Sequence, residues 1–148
     1  QAQVLALARE MHDESVFHRH IPMDETKVLA QLEAAESPCY EHVYFKLCVR
    51  GDEVLGGFFG QISSVYFSDE RVAKDMAWFV ARNRRGSLAA VMLVADFEAW
   101  GRSKGCRCFL LGQSTGVQME TTQALYEHLG YQVLGVNTMK RIDHVHGS

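Results

Sequence analysis

The chain has 148 residues, enough for one domain with a core of its own. Hydrophobic residues make up 47% and charged residues 22%, a globular balance that excludes a disordered or low-complexity chain. The formal net charge of −3 argues against a nucleic-acid-binding surface, and no apolar run reaches the ~18 residues of a membrane span, so neither nucleic acid nor membrane is expected as a partner.

In chain order, Gln1 to about Ser15 reads as a helix, with Val4, Leu7, Ala8 and Met11 at helical spacing. Val16 to Met23 reads as a loop. Asp24 is a suitable N-cap for a second helix to about Ala35, which Ser37-Pro38 ends. His42 to Arg50 alternates, with Val43, Phe45, Leu47 and Val49 on one side and Tyr44, Lys46 and Cys48 on the other. After the turn Arg50-Gly51-Asp52-Glu53, Val54 to Tyr66 completes an antiparallel hairpin. Gly56, Gly57 and Gly60 in that strand point to a bulge or to a close backbone approach.

The most informative stretch is Val72 to Trp100. Val72 to Val80 reads as a strand. Ala81 to Ser87 is a turn, with Arg82, Arg84 and Arg85 just before Gly86. Ser87 to about Arg102 is an apolar helix: Leu88, Val91, Met92, Ala95 and Ala99 form a stripe that Val94, Phe97 and Trp100 widen. A helix start offers free N–H groups and the positive end of a dipole, and a glycine lets a ligand come close. Three arginines there suit a phosphate or pyrophosphate. The plain alternative is a surface turn with solvated arginines.

Ser103-Lys104-Gly105 caps this helix, and Gly105 suits a left-handed residue. Cys106 to Gly112 reads as a strand, Gln113 to Gly116 as a polar loop and Gln118 to Leu129 as a helix capped by Gly130. Tyr131 to Val136 and Thr138 to Ile142 read as two final strands, and residues 144–148 as a frayed, flexible tail. Cys106 and Cys108 fall within one strand and are expected on one face. With Cys39 and Cys48 they are read as reduced thiols of a cytoplasmic protein, and their spacing suits no zinc site.

Two motifs carry a family resemblance. Arg85, Gly86, Ser87, Leu88, Ala89 and Ala90 resemble the acyl-CoA motif of the GNAT superfamily of N-acetyltransferases, which runs Arg or Gln, x, x, Gly, x, Gly or Ala. Leu88 departs from it, standing where the family has glycine, and a side chain there would crowd the pyrophosphate; the departure is tolerable if the amide N–H still points at the phosphate and Leu88 turns into the core. Leu125-Tyr126-Glu127-His128-Leu129-Gly130-Tyr131 resembles the family's Leu-Tyr-x-x-Leu-Gly-Phe junction. Both stand in the family's order, and together they span the C-terminal half of the chain.

The resemblance implies an α/β (α+β) fold: a mixed, mostly antiparallel twisted sheet with helices on both faces and a splayed central strand pair. It implies one domain over residues 1–148, with the family's first strand missing ahead of Gln1. It implies acetyl-CoA as acyl donor, an unidentified amine as acceptor, and a homodimer. Phe79 and Val80 would bind the pantetheine arm through main-chain groups, and Arg85, Gly86, Ser87, Leu88, Ala89 and Ala90 would wrap the pyrophosphate. A backbone N–H freed by the splay would polarise the thioester carbonyl. Tyr126 is the implied general acid for the departing thiolate. Asp75 is the candidate base, where the histone-acetylating branch of the family has a glutamate, and is expected to share a strand face with Ala77 and Phe79; the plain alternative is a solvated Asp beside Lys74, with water chains taking the proton. Glu14 to Glu25, with His18, His20 and Asp24 among Phe17, Ile21 and Met23, would cover the acceptor side, the alternative being ordinary amphipathic packing; H-x-H is a poor metal signal without a third ligand. Ser114, Glu120 and His128 are further polar groups near the expected cleft. The competing reading is a catalytically silent acyl-CoA sensor or regulatory module of the same fold.

Overall fold

The computed structural model describes residues 1–15, 17–37, 41–85, 88–112 and 119–142. In chain order its elements are α1 (Ala2–Glu14), α2 (Glu25–Ala35), β1 (Val43–Arg50), β2 (Glu53–Ser63), β3 (Val72–Val80), a 3₁₀ turn (Arg82–Arg84), α3 (Ala89–Ser103), β4 (Cys108–Leu110) and α4 (Met119–His128). Local chemistry sets several boundaries. Asp24 caps α2 by accepting from the Lys27 N–H at 3.2 Å. Gly105 ends α3 at a φ of 84°, and Gly130 follows α4 at a φ of 91°, both left-handed positions that favour glycine.

The sheet has the order β1-β2-β3-β4. The first three strands are antiparallel neighbours, and β4 runs parallel to β3. The mixed, mostly antiparallel sheet is therefore as expected. On β3 the register drops one residue: Phe59 faces Ala77 and Gly60 faces Asp75, so Met76 has no partner on β2. This bulge reverses the alternation beyond it. Ala73, Asp75, Trp78 and Val80 consequently oppose Ile62, Gly60, Phe58 and Gly56 along one face. The expectation that Asp75, Ala77 and Phe79 share a face is thus corrected: the bulge puts Asp75 with Trp78.

That face carries α3. Phe58, Phe97 and Val94 are fully enclosed, and Tyr44, Ala73 and Leu93 join them in the core. The buried side of α3 is Ala89, Leu93, Val94, Phe97 and Gly101. Of the expected main stripe, Leu88, Met92, Ala95 and Ala99 are exposed. A helix apolar on two sides gives no periodic signal for which side packs; the sheet decides by offering glycines where Phe97 must fit. A Cβ on Gly60 would stand 2.4 Å from Phe97 Cε1, and one on Gly56 2.4 Å from the Phe79 carbonyl. The close approach expected of these glycines is real. Phe45, Leu47, Phe59 and Phe79 are half-buried on the opposite sheet face, and α1 and α2 lie against β2 and β1.

Three expectations at the C-terminal side are corrected. β4 is short: Cys106 precedes it, tied to the end of α3 by a 2.9 Å bond from its N–H to the Gly101 carbonyl. Cys106 is therefore buried while Cys108 is exposed, and the two share no face. Residues 131–142 form no strand. Val133, Leu134, Val136 and Ile142 are exposed there, because strand propensity needs a paired neighbour to be expressed. The polar loop at Gln113 to Gly116, the breaker Pro38, Cys39 and the tail at 144–148 lie outside the described residues.

Candidate functional site

β3 and β4 pair only through Val72, Ala73 and Lys74 against Cys108, Phe109 and Leu110. Beyond those residues β3 continues to Val80 with no ladder partner on that side among the described residues. The strands form a fork, as the expected splay requires. Asp75 stands at its crotch, and its Oδ1 accepts the Gly112 N–H at 3.1 Å. A side chain thus replaces the ladder bond that the parting strands give up.

α4 brings Tyr126 into the fork. Its hydroxyl donates to the Gly112 carbonyl at 2.9 Å and accepts from Trp78 Nε1 at 2.8 Å. Trp78 can only donate and a carbonyl can only accept, so the direction of each bond is fixed. Asp75 and Tyr126 therefore meet through one residue, Gly112. Tyr126 is 5% exposed. Its phenol is pushed well above the usual tyrosine range, first by burial, with the Trp78 hydrogen bond pulling the other way and the Asp75 charge adding to the rise. Burial also raises Asp75, to about 6, against the lowering effects of hydrogen bonds from the Gly112 and Asp75 backbone and of Lys74. Both side chains, with Gly112, Gln123, Glu98 and Arg107, line a cleft of about 850 Å³.

At the far end of β3, roughly 15 Å from Asp75 by strand rise, lies the arginine turn. The sequence suggested cations waiting for an anion, or solvated ones. Instead, Arg85 makes a two-pronged pair with Glu14 of α1, at 2.7 and 2.6 Å. Arg84 does the same with Glu53, at 3.1 and 2.6 Å, and Arg82 lies 3.4 Å from Glu14. The Arg85 guanidinium is the main cause of Glu14 sitting below the usual carboxylate range, and Glu14 in turn raises Arg85. Acidic residues far apart in sequence from the turn gave no local signal of this.

Leu88 is the N-cap of α3 and is 72% exposed, so it does not turn into the core. Ala89 is buried as the first residue of the helix, and Ala90 is half-buried. Gly86 and Ser87 lie outside the described residues, as does Ser114. Phe79 and Val80 pair with Gly57 and Gly56 on β2, leaving their other edge toward the fork. Glu120 and His128 are exposed. On the expected acceptor side, His18 turns not to His20 but to Asp13, 3.3 Å away, with His12 beside it. Trp78, Gly112, Glu14 and Glu53 are the site residues that sequence reasoning missed. Trp78 carried one readable signal: an indole N–H in a buried strand needs an acceptor.

The model of the acetyltransferase (GNAT) family matches residues 5–131. No curated protein matches the chain. Among solved structures, the fold is similar to that of AAC(6′)-Iy in complex with a bisubstrate analogue, CoA-S-monomethyl-acetylneamine, at 18% identity over 97% of this chain and 91% of that one, with a TM-score of 0.72. It is similar to an acetyltransferase from Trypanosoma brucei, at 18% identity over 97% and 92% of the two chains, TM-score 0.65. It is also similar to a transcriptional regulator from Bacillus halodurans, at 16% identity over 96% and 95%, TM-score 0.72.

Proposed function

Since the chain belongs to the acetyltransferase (GNAT) family, we propose that it transfers the acetyl group of acetyl-CoA to a primary amine by direct attack. The observation that carries this reading is the fork. It holds a tyrosine hydroxyl and a carboxylate of raised pKa around one glycine, on a strand whose edge beyond Lys74 has no ladder partner among the described residues and could receive an extended arm.

The chemistry balances within these residues. The amine nitrogen forms a bond to the acetyl carbon, and the carbon–sulfur bond breaks. Asp75 takes the proton that the amine loses; a carboxyl with a pKa of about 6 is ionised at neutral pH and can accept it. Tyr126 gives its proton to the departing sulfur. The unpaired bulge at Met76 supports a main-chain N–H as the group that polarises the carbonyl. Phe79 and Val80 offer main-chain groups to the arm, and Arg85 to Ala90 the phosphate end. There Arg85 must leave Glu14 before it can meet a phosphate.

A second reading, an acyl-CoA-binding module without turnover, is favoured by the similarity of the fold to that of a transcriptional regulator. A homodimer is also part of our reading, supported by the exposed apolar side chains Val133, Leu134, Val136, Met139 and Ile142.

Calorimetry with acetyl-CoA, followed by thioester consumption with a panel of amines, separates the two. Binding with turnover supports the transferase, and binding without consumption of thioester supports the module. Within the transferase, Tyr126→Phe is expected to lower kcat about a hundredfold with little change in CoA affinity. Unchanged turnover removes Tyr126 from the mechanism.

A further inference from the structure

Resting on that reading, we propose that Trp78 is a positioning residue for the acid Tyr126: its indole N–H pins the phenol oxygen in the fork and stays bonded to that oxygen when the proton leaves.

The geometry is specific. The Trp78 ring lies parallel to Phe58, with centroids 6.0 Å apart and 21° between planes. Phe58 is fully buried and itself stacks on Phe97, at 4.3 Å. The indole is therefore backed by the buried core, which limits its rotation. Its N–H meets Tyr126 Oη, 2.8 Å away. A core tryptophan needs only some acceptor; here the acceptor is the oxygen of the candidate acid.

The second bond of the hydroxyl completes the argument. At rest the phenol proton lies on the Gly112 carbonyl, 2.9 Å away. To serve as an acid it must turn toward the sulfur. Rotation about the bond from ring to oxygen moves the proton and leaves the oxygen in place, provided that something other than the proton holds the oxygen. Among the described residues Trp78 does this. When the proton has gone to the sulfur, the oxygen carries the negative charge, and an N–H already aimed at it stabilises that charge without reorganisation. The bulge at Met76 makes the arrangement available, because it puts Asp75 and Trp78 on one face. In an unbroken strand they would point to opposite faces, three residues apart.

The test separates this inference from the acid assignment beneath it. With 15N-labelled indoles the two tryptophans give two N–H signals. Tyr126→Phe is expected to shift only the signal that Trp78→Phe deletes, which reads the bond in a chain whose tryptophans are intact. With 3-fluorotyrosine placed at position 126, the 19F titration midpoint is expected to rise by about one pH unit in Trp78→Phe, the worth of one hydrogen bond to a charged group. With acetyl-CoA and an accepted amine, Trp78→Phe is expected to lower kcat about tenfold at unchanged KM for acetyl-CoA. If Tyr126→Phe destroys turnover while Trp78→Phe leaves both kcat and the midpoint unaltered, the inference is overturned and the acid assignment stands. If the midpoint rises but Tyr126→Phe turns over normally, the acid assignment fails and takes the positioning role with it.

Discussion

Replacing Asp75 with Asn isolates the electrostatic cost carried at the fork. The carboxyl lies at about 6 in the folded chain against 3.8 without its surroundings. Folding therefore tightens its hold on a proton. Between about pH 4 and pH 6 the folded state binds more protons than the unfolded state, so stability falls as pH rises through that window and the full cost is present above it. At 1.36 kcal/mol per pH unit the rise corresponds to about 3 kcal/mol. Asn has no charge to bury and keeps an oxygen that can accept the Gly112 N–H. The variant is expected to gain up to about 3 kcal/mol at pH 7, or up to about 12 °C in Tm for a chain of this size, and little at pH 4. Thermal unfolding of both proteins at the two pH values measures it. An equal gain at both pH values, or a loss at pH 7, refutes the reasoning. The same variant tests the base: loss of turnover with a gain in stability is the signature of a group kept for chemistry against its own folding cost.

Two further changes probe other parts of the site and core. Glu14→Gln releases Arg85 from its two-pronged pair, so CoA affinity is expected to rise on the order of tenfold, most clearly at low salt; equal or weaker binding by calorimetry contradicts this. Gly60→Ala drives a methyl against the fully buried Phe97 ring and is expected to cost about 1–3 kcal/mol in urea unfolding, whereas Gly135→Ala, with nothing within 4 Å of the added carbon, is expected to be neutral.

Much of the fold could be read from local pattern. The hairpin, the capped second helix, the strand Val72–Val80 and the glycine ends of α3 and α4 each had a residue-level cause within a few positions. The junction motif singles out Tyr126, whose hydroxyl lies in the fork. What escaped was what depends on distant pairing. The bulge at Met76 exists only in the register with β2, so the face of Asp75 was misjudged. The arginines of the turn read as free because Glu14 and Glu53 reach them from α1 and from the hairpin. Tyr131 to Ile142 has strand-forming residues, but among the described residues no strand receives them. The buried side of α3 was chosen by glycines on β2, not by anything in the helix itself.

The brevity of β4 has a consequence for how the chain assembles. β1, β2 and β3 follow one another as a meander, so their contacts close short loops and form early. β4 must wait for α3 to cross the sheet, and then gains three residues of pairing. The fork, held by three residues of pairing among the described residues, is accordingly expected to be among the first parts of the sheet to open, which hydrogen exchange of the β3 and β4 amides reads. On the proposed reading, an arm that entered between β3 and β4 would meet the part of the sheet held by the fewest paired residues.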